Sequence, residues 1–244
     1  MRRARRGERD LRRRRLRGNH RGPARRRPGL MRRGGRTRLL WVIRCGETEW
    51  DAEERLRGDE DLPITAAGEA ATREALERAA SNPFSTPGTI HHPLDQAAVT
   101  TATIAGRILG GRRRGNDELA DPAMGVLAGI TLEELRDRFE RRARQWEEDP
   151  STLVPPDGEP FEDARVRLIE AMVDLLRRNR SEAVGVVLHD LGAGFIRAAL
   201  AGSPRGNPRR WMEGRGRVET WALPADAVAR LEASVETVGQ LDAS

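Results

Sequence analysis

The sequence predicts an α/β fold, a three-layer sandwich with a mostly parallel central sheet and helices on both faces. From residue 38 onward, short apolar runs alternate with segments of helical periodicity, the pattern of a sheet covered by crossover helices. The first apolar run ends in a polar, Gly-containing loop, and Thr65 and Thr131 stand where N-caps are needed. At 244 residues the chain can hold one such domain with a sizeable core, plus a tail.

Leu39 to Ile43 is the first strand. Thr65 caps a helix to about Ala80, with Ala71, Ala75, Leu76 and Ala79 on one face. Thr89 to His91 is a brief strand before a helix from about Asp95 to Leu109. Thr131 caps a helix to about Trp146, in which Leu132, Leu135 and Phe139 recur at three- and four-residue steps. Phe161, Ala164, Leu168, Met172 and Leu175 or Leu176 line a long helix ending near Arg180. Ala183 to Leu188 reads as a buried strand ended by His189, and a helix follows from Gly192 to Ala201. An Arg/Gly/Pro loop over 202–215, a strand around Val218 to Leu223 and a closing segment to Val235 complete the domain, with no internal repeat.

Residues 1–38 hold 18 Arg against Glu8 and Asp10, about +16, while the remainder sets 26 Arg against 36 acids, about −10. The domain, 38–244, is therefore acidic, and residues 1–37 are expected to be a disordered Arg-rich tail, lacking the apolar residues that offset ordering entropy. Two readings of that tail stand: a nucleic-acid or anionic-surface arm, or an inert or mis-assigned segment preceding a true start at Met31. Nucleic acid is not expected to bind elsewhere. A single cysteine excludes an internal disulfide and offers no zinc cluster, and no apolar run approaches a membrane span. A cytoplasmic protein with no metal and no cofactor is expected, acting on a small molecule and without membrane contact; oligomeric state is open.

In open parallel sheets, ligands gather at the carboxyl ends of the strands. Arg44, Cys45, His92 and His189 fall at such ends. Around them, Arg44-Cys45-Gly46-Glu47-Thr48-Glu49-Trp50 follows the first strand, and Arg55-Leu56-Arg57-Gly58 precedes Asp61-Leu62-Pro63-Ile64-Thr65-Ala66-Ala67-Gly68. Later come His91-His92-Pro93-Leu94-Asp95-Gln96-Ala97, then Asp121 to Gly129, Pro155 to Glu159, and Val187-Leu188-His189. Taken in order over about residues 38–201, these motifs resemble the histidine phosphatase (phosphoglycerate mutase-like) superfamily, whose first loop reads Arg-His-Gly.

The resemblance implies a reaction in which the first histidine carries a phosphoryl group, two arginines and the second histidine hold its oxygens, and a glutamate protonates the leaving oxygen. This chain departs at most of those positions. Arg44 and His189 match, but Cys45 stands for the nucleophile and Gln96 for the second arginine. Asp51 replaces the usual asparagine and Asp190 the glycine after the second histidine. The general acid is shortened to Asp121, with Glu118 the competing choice. These changes shift the expected pocket charge by about −3, each unit worth on the order of 3 kcal/mol at ~5 Å from a unit charge at an effective dielectric of 20.

Cys45 can be read as a thiolate nucleophile, as a covalent or redox catalyst for another substrate, or as a buried thiol filling the space of a lost imidazole. His92 is either a substitute base or nucleophile, or a structural histidine bonded to Asp51 or Asp95; Thr48 is an oxygen ligand for a substrate. Three functions follow. The first is a remodelled, biosynthetic-type enzyme acting on a small metabolite by acid/base chemistry through His189, Asp121, Asp51 and Cys45. The second is a catalytically inactive binding or regulatory homologue, and the third a residual phosphatase or mutase using Cys45 or His92.

Overall fold

The computed structural model describes residues 38–82, 84–203, 207–211, 213 and 216–239; the expected Arg-rich tail, 1–37, lies outside the described residues. Among them, five strands, β1 (Arg38–Arg44), β2 (Thr89–His92), β3 (Arg112–Gly115), β4 (Ala183–Leu188) and β5 (Val218–Leu223), form one sheet in the order β3-β2-β4-β1-β5. Every pairing is parallel except β1 with β5. The helices are α1 (Glu49–Ala52), α2 (Ala66–Ala80), α3 (Gln96–Leu109), α4 (Leu132–Arg138), α5 (Glu140–Glu148), α6 (Phe161–Arg178), α7 (Asp190–Leu200) and α8 (Ala227–Gly239).

Period-2 alternation in β1 divides the core into two layers. Leu40 and Val42 join Phe161, Leu168 and Met172 of α6, Ile196 of α7 and Leu231 of α8 on one face. Trp41, Ile43 and, two residues further, Cys45 join Leu76 of α2 and Ala98, Ala102 and Ala105 of α3 on the other. Cys45 thus continues an apolar stripe. On the carboxyl side of the sheet, Thr65 caps α2 by accepting the Gly68 N–H at 2.9 Å, as its sequence position predicts.

Three elements differ from expectation. β3 reads Arg-Arg-Arg-Gly and is exposed along its whole length, so it carries no hydrophobic signal; it is an edge strand held by backbone pairing to β2 and guarded by charge. The helix expected over 131–146 breaks at Phe139, whose φ is −139° and ψ 53°, into α4 and α5. The Phe139 carbonyl starts α5 by accepting from Arg142 and Ala143, and the Arg138 and Arg142 guanidinium groups lie 5.5 and 5.9 Å from its ring centre. Neither Gly nor Pro marks the break, so tertiary packing overrides a continuous local pattern. α7 begins at Asp190, with His189 as its N-cap.

The loop after α1 makes one close approach that positions the site. Gly58 has φ +67°, and a Cβ there would stand 2.6 Å from Met124 Cγ and 2.9 Å from the backbone N of Met124 and O of Pro122. Only glycine lets Arg57 lie this close to the loop that carries Asp121. No described helix is long and apolar enough to cross a membrane. Gly58→Ala is expected to lower stability by about 1–3 kcal/mol, measured as the urea midpoint, from left-handed strain plus backbone collision.

Candidate active site

Parallel register brings the two strand-end residues together. Arg44 pairs with Leu188 across β1 and β4, and the Cys45 N–H donates to the Leu188 carbonyl at 3.0 Å. The next side chains, Cys45 and His189, therefore stand side by side, with Sγ 3.4 Å from Nε2. The same Nε2 lies 3.0 Å from Oδ2 of Asp95. Asp95 is the N-cap of α3, its Oδ1 accepting the Ala98 N–H at 3.0 Å, so one carboxylate caps a helix and holds the histidine.

That geometry decides what the pair can do. Burial raises the Asp95 pKa, but the hydrogen bond and charge of His189, the Ala98 N–H and Arg57 outweigh it and hold the carboxyl below its ordinary value. An ionised carboxylate only accepts, so Nε2 carries the proton and has no lone pair for the Cys45 thiol. Burial, and then the negative charges of Asp95, Asp121 and Asp190, push the Cys45 thiol well above its ordinary pKa despite Arg57. The thiol is neutral at physiological pH, which opposes the nucleophile reading.

Asp121, the expected acid, lines the same hollow as Cys45 and His189. It is buried, its Oδ1 accepts the Gly192 N–H at 3.0 Å, and burial raises its pKa although His189, Arg57 and Gly192 pull the other way. A carboxyl whose pKa is raised beside a histidine holds its proton to higher pH than an ordinary aspartate, as a general acid requires. Glu118, the competing choice, lies in a neighbouring hollow and offers its carbonyl to Arg167.

Several expected ligands are committed elsewhere. The Arg44 guanidinium is held by both oxygens of Asp190, with Nε to Oδ1 at 2.6 Å. Thr48 is fully buried and forms a capping box with Asp51: the Thr48 N–H and hydroxyl donate to Asp51 Oδ2 at 2.9 and 2.7 Å. It has no oxygen left for a substrate. Gln96 donates through its side chain to the Asp61 carbonyl and carboxylate at 3.1 Å, outside the hollow at Cys45. His92 donates from Nδ1 to the adjacent Pro93 carbonyl at 2.7 Å; it bonds neither Asp51 nor Asp95 and lies outside the hollow. Its ring folds back on its own chain because Pro93 presents an acceptor next door.

Two arginines that sequence reasoning passed over enter the site. Arg57 is only 8% exposed, and its Nε and Nη1 meet no acceptor. Nε stands 3.8 Å from Asp51 Oδ1 and Nη2 3.8 Å from Asp121 Oδ2, both beyond hydrogen-bond reach. Arg217 donates to the Cys45 carbonyl at 3.3 Å. The hollow of about 420 Å³ over Cys45 is lined by Arg44, Arg55, Arg57 and Arg217 against Glu47, Asp51, Glu54, Asp121 and Asp190. Of the three changes behind the expected shift of about −3, Asp51 and Asp190 line the hollow and Gln96 lies outside it, while Arg57, which the expectation did not count, adds a positive charge. A second hollow, sharing Asp121 and His189, is the acidic one, with Asp59, Asp61, Asp95, Asp117, Glu118 and Glu159 around Arg167. No group of three or more His, Cys, Asp or Glu among the described residues is placed to hold a metal.

Residues 40–218 match the family model described as histidine phosphatase superfamily (branch 1). A relative from Enterobacter sp. strain 638, named probable phosphoglycerate mutase GpmB, is 31% identical over 176 residues, 70% of this chain and 78% of the relative. Among solved structures, Bacillus stearothermophilus YhfR aligns with a TM-score of 0.65 at 24% identity, covering 75% of this chain and 89% of its own. A mycobacterial glucosyl-3-phosphoglycerate phosphatase aligns at 0.61 and 23%, covering 74% and 86%. At these identities the two structures support the fold alone.

The raised Asp121 carboxyl has a pH consequence. Its folded-state pKa exceeds the unfolded value, so the native state binds more protons between the two and stability falls as pH rises through that window. Asp121→Asn removes this loss. The stability difference between variant and wild type, from urea unfolding, is expected to grow in the variant's favour from the ordinary aspartate value up through the raised one, then stay level. For Cys45, alkylation by iodoacetamide at pH 8 is expected to run more than tenfold slower than for free cysteine, and faster in Asp95→Asn than in wild type.

Proposed function

This chain belongs to the histidine phosphatase superfamily, and we propose that within it the pocket has been remodelled to act on a small metabolite by proton transfer, without a phosphohistidine. Asp121 serves as the acid and His189, oriented by Asp95, as the proton-handling imidazole. Cys45 supplies shape. The single observation carrying this reading is the Asp95 carboxylate 3.0 Å from His189 Nε2, on the nitrogen that also faces Cys45.

The physics favours it over phosphoryl transfer. A phosphoryl dianion between Cys45 and His189 would meet the Asp95 carboxylate, and at ~5 Å each unit pair of like charges costs on the order of 3 kcal/mol at an effective dielectric of 20. Arg44, which the family's reaction needs on the phosphoryl oxygens, is already bound in two places by Asp190. Two carboxyls in one site with pKa values pushed in opposite directions, Asp95 down and Asp121 up, suit paired acid and base roles. The buried neutral thiol of Cys45 also suits the second reading, an inactive binding homologue.

The test is comparative. A small-molecule extract of the source cells is incubated with wild type, Asp121→Asn, His189→Ala and Cys45→Ala, and followed by mass spectrometry. Wild type and Cys45→Ala are expected to consume the same compound, with at least a hundredfold loss in the other two and no turnover of p-nitrophenyl phosphate by any. Steady p-nitrophenyl phosphate hydrolysis lost in Cys45→Ala would overturn the reading, and no turnover of anything by wild type would leave the inactive homologue.

A further inference from the structure

We propose that Arg57 is a carboxylate-binding residue, so that the small metabolite handled at His189 and Asp121 is a monocarboxylate. This rests on the acid/base reading above. The contrast with Arg165 carries it. Arg165 is also buried, and its three nitrogens are all satisfied, by Glu162 at 2.8 and 2.6 Å and by the Ser234 carbonyl at 3.2 Å. That is how this fold treats a guanidinium kept for structure.

Arg57 is treated otherwise. Its Nε and Nη1 are closed off without an acceptor, and Nη2 reaches Asp121 only at 3.8 Å. Leaving buried donors unpaired is unfavourable, and a ligand that supplies the acceptors recovers that loss on binding. The side chain lines the hollow shared with Cys45, His189 and Asp121, so an anion held there places its neighbouring carbon against the acid and the imidazole.

Planar carboxylate matches the guanidinium fork, meeting Nη2 first and taking a second donor as the group turns from its position between Asp51 and Asp121. The other arginines of the hollow already have partners: Arg44 on Asp190, Arg55 on Glu53 at 2.5 Å and on the Gly129 carbonyl at 2.7 Å, and Arg217 on the Cys45 carbonyl. A guanidinium within ion-pair range of Asp51 and Asp121 but hydrogen-bonded to neither, in a hollow lined by five acids, suits the single charge of a monoanion. A phosphate dianion would bring twice that charge among the same acids.

The experiment is thermal unfolding and calorimetric titration of the full chain with acetate, benzoate, inorganic phosphate and orthovanadate at matched ionic strength. It is run on wild type, Arg57→Gln and Arg57→Lys, with far-UV circular dichroism to confirm folding. Saturable binding of a monocarboxylate, weakened at least tenfold in Arg57→Gln and less in Arg57→Lys, is the expected result. Should Arg57→Gln not fold, a smaller but measurable loss of carboxylate affinity in folded Arg57→Lys carries the test. Carboxylate binding unchanged in the variants, or no carboxylate binding to wild type, overturns the role of Arg57 and leaves the acid/base reading standing. Tight vanadate or phosphate binding with no carboxylate binding overturns both.

Discussion

His189 offers one Nε2, and two side chains compete for it: the Asp95 carboxylate at 3.0 Å and the Cys45 thiol at 3.4 Å. Because an ionised carboxylate can only accept a proton, the competition has one outcome, and the rest of the site follows from it. The thiol is left without a base. The imidazole is fixed in orientation, with the Asp95 carboxylate against its Nε2. The fold creates the competition, through the in-register pairing of β1 and β4 and the capping role of Asp95 at α3.

Around that pair the charges are arranged in local balances rather than as one cationic cradle. Asp190 takes Arg44, Asp51 is spent on the α1 cap, and Arg57 stands between carboxylates it does not reach. A family whose chemistry depends on encircling developing negative charge with fixed positive groups is here represented by a pocket of mixed sign. The same fold hosts different sites without changing its scaffold.

Most of the scaffold was legible because its signals are local or periodic. The apolar runs at Leu39–Ile43 and Ala183–Leu188, the Thr65 cap and the 161–178 face need no tertiary information, and the strand-end rule placed Cys45 and His189 correctly. β3 was invisible because an all-arginine edge has no apolar face, and the break at Phe139 because packing alone causes it.

The site was legible in its members and less so in their roles. Asp51 lines the hollow as expected but is also spent on the α1 cap, Thr48 is buried in that cap, and Gln96 is bonded to Asp61 outside the hollow. For the site, Asp95 was named only as a partner for His92, and Arg57 only as part of the Arg55–Gly58 run; the Asp three residues before Ala98 was the available signal for a cap, and nothing local marks Arg57. The most direct measurement of the central claim is the protonation of His189 by ¹⁵N-edited NMR, simple to assign among four histidines. Wild type should show a protonated, pyrrole-like Nε2 wherever Asp95 is ionised, lost in Asp95→Ala. A pyridine-like Nε2 in the wild-type protein, free to take the proton of Cys45, would contradict it.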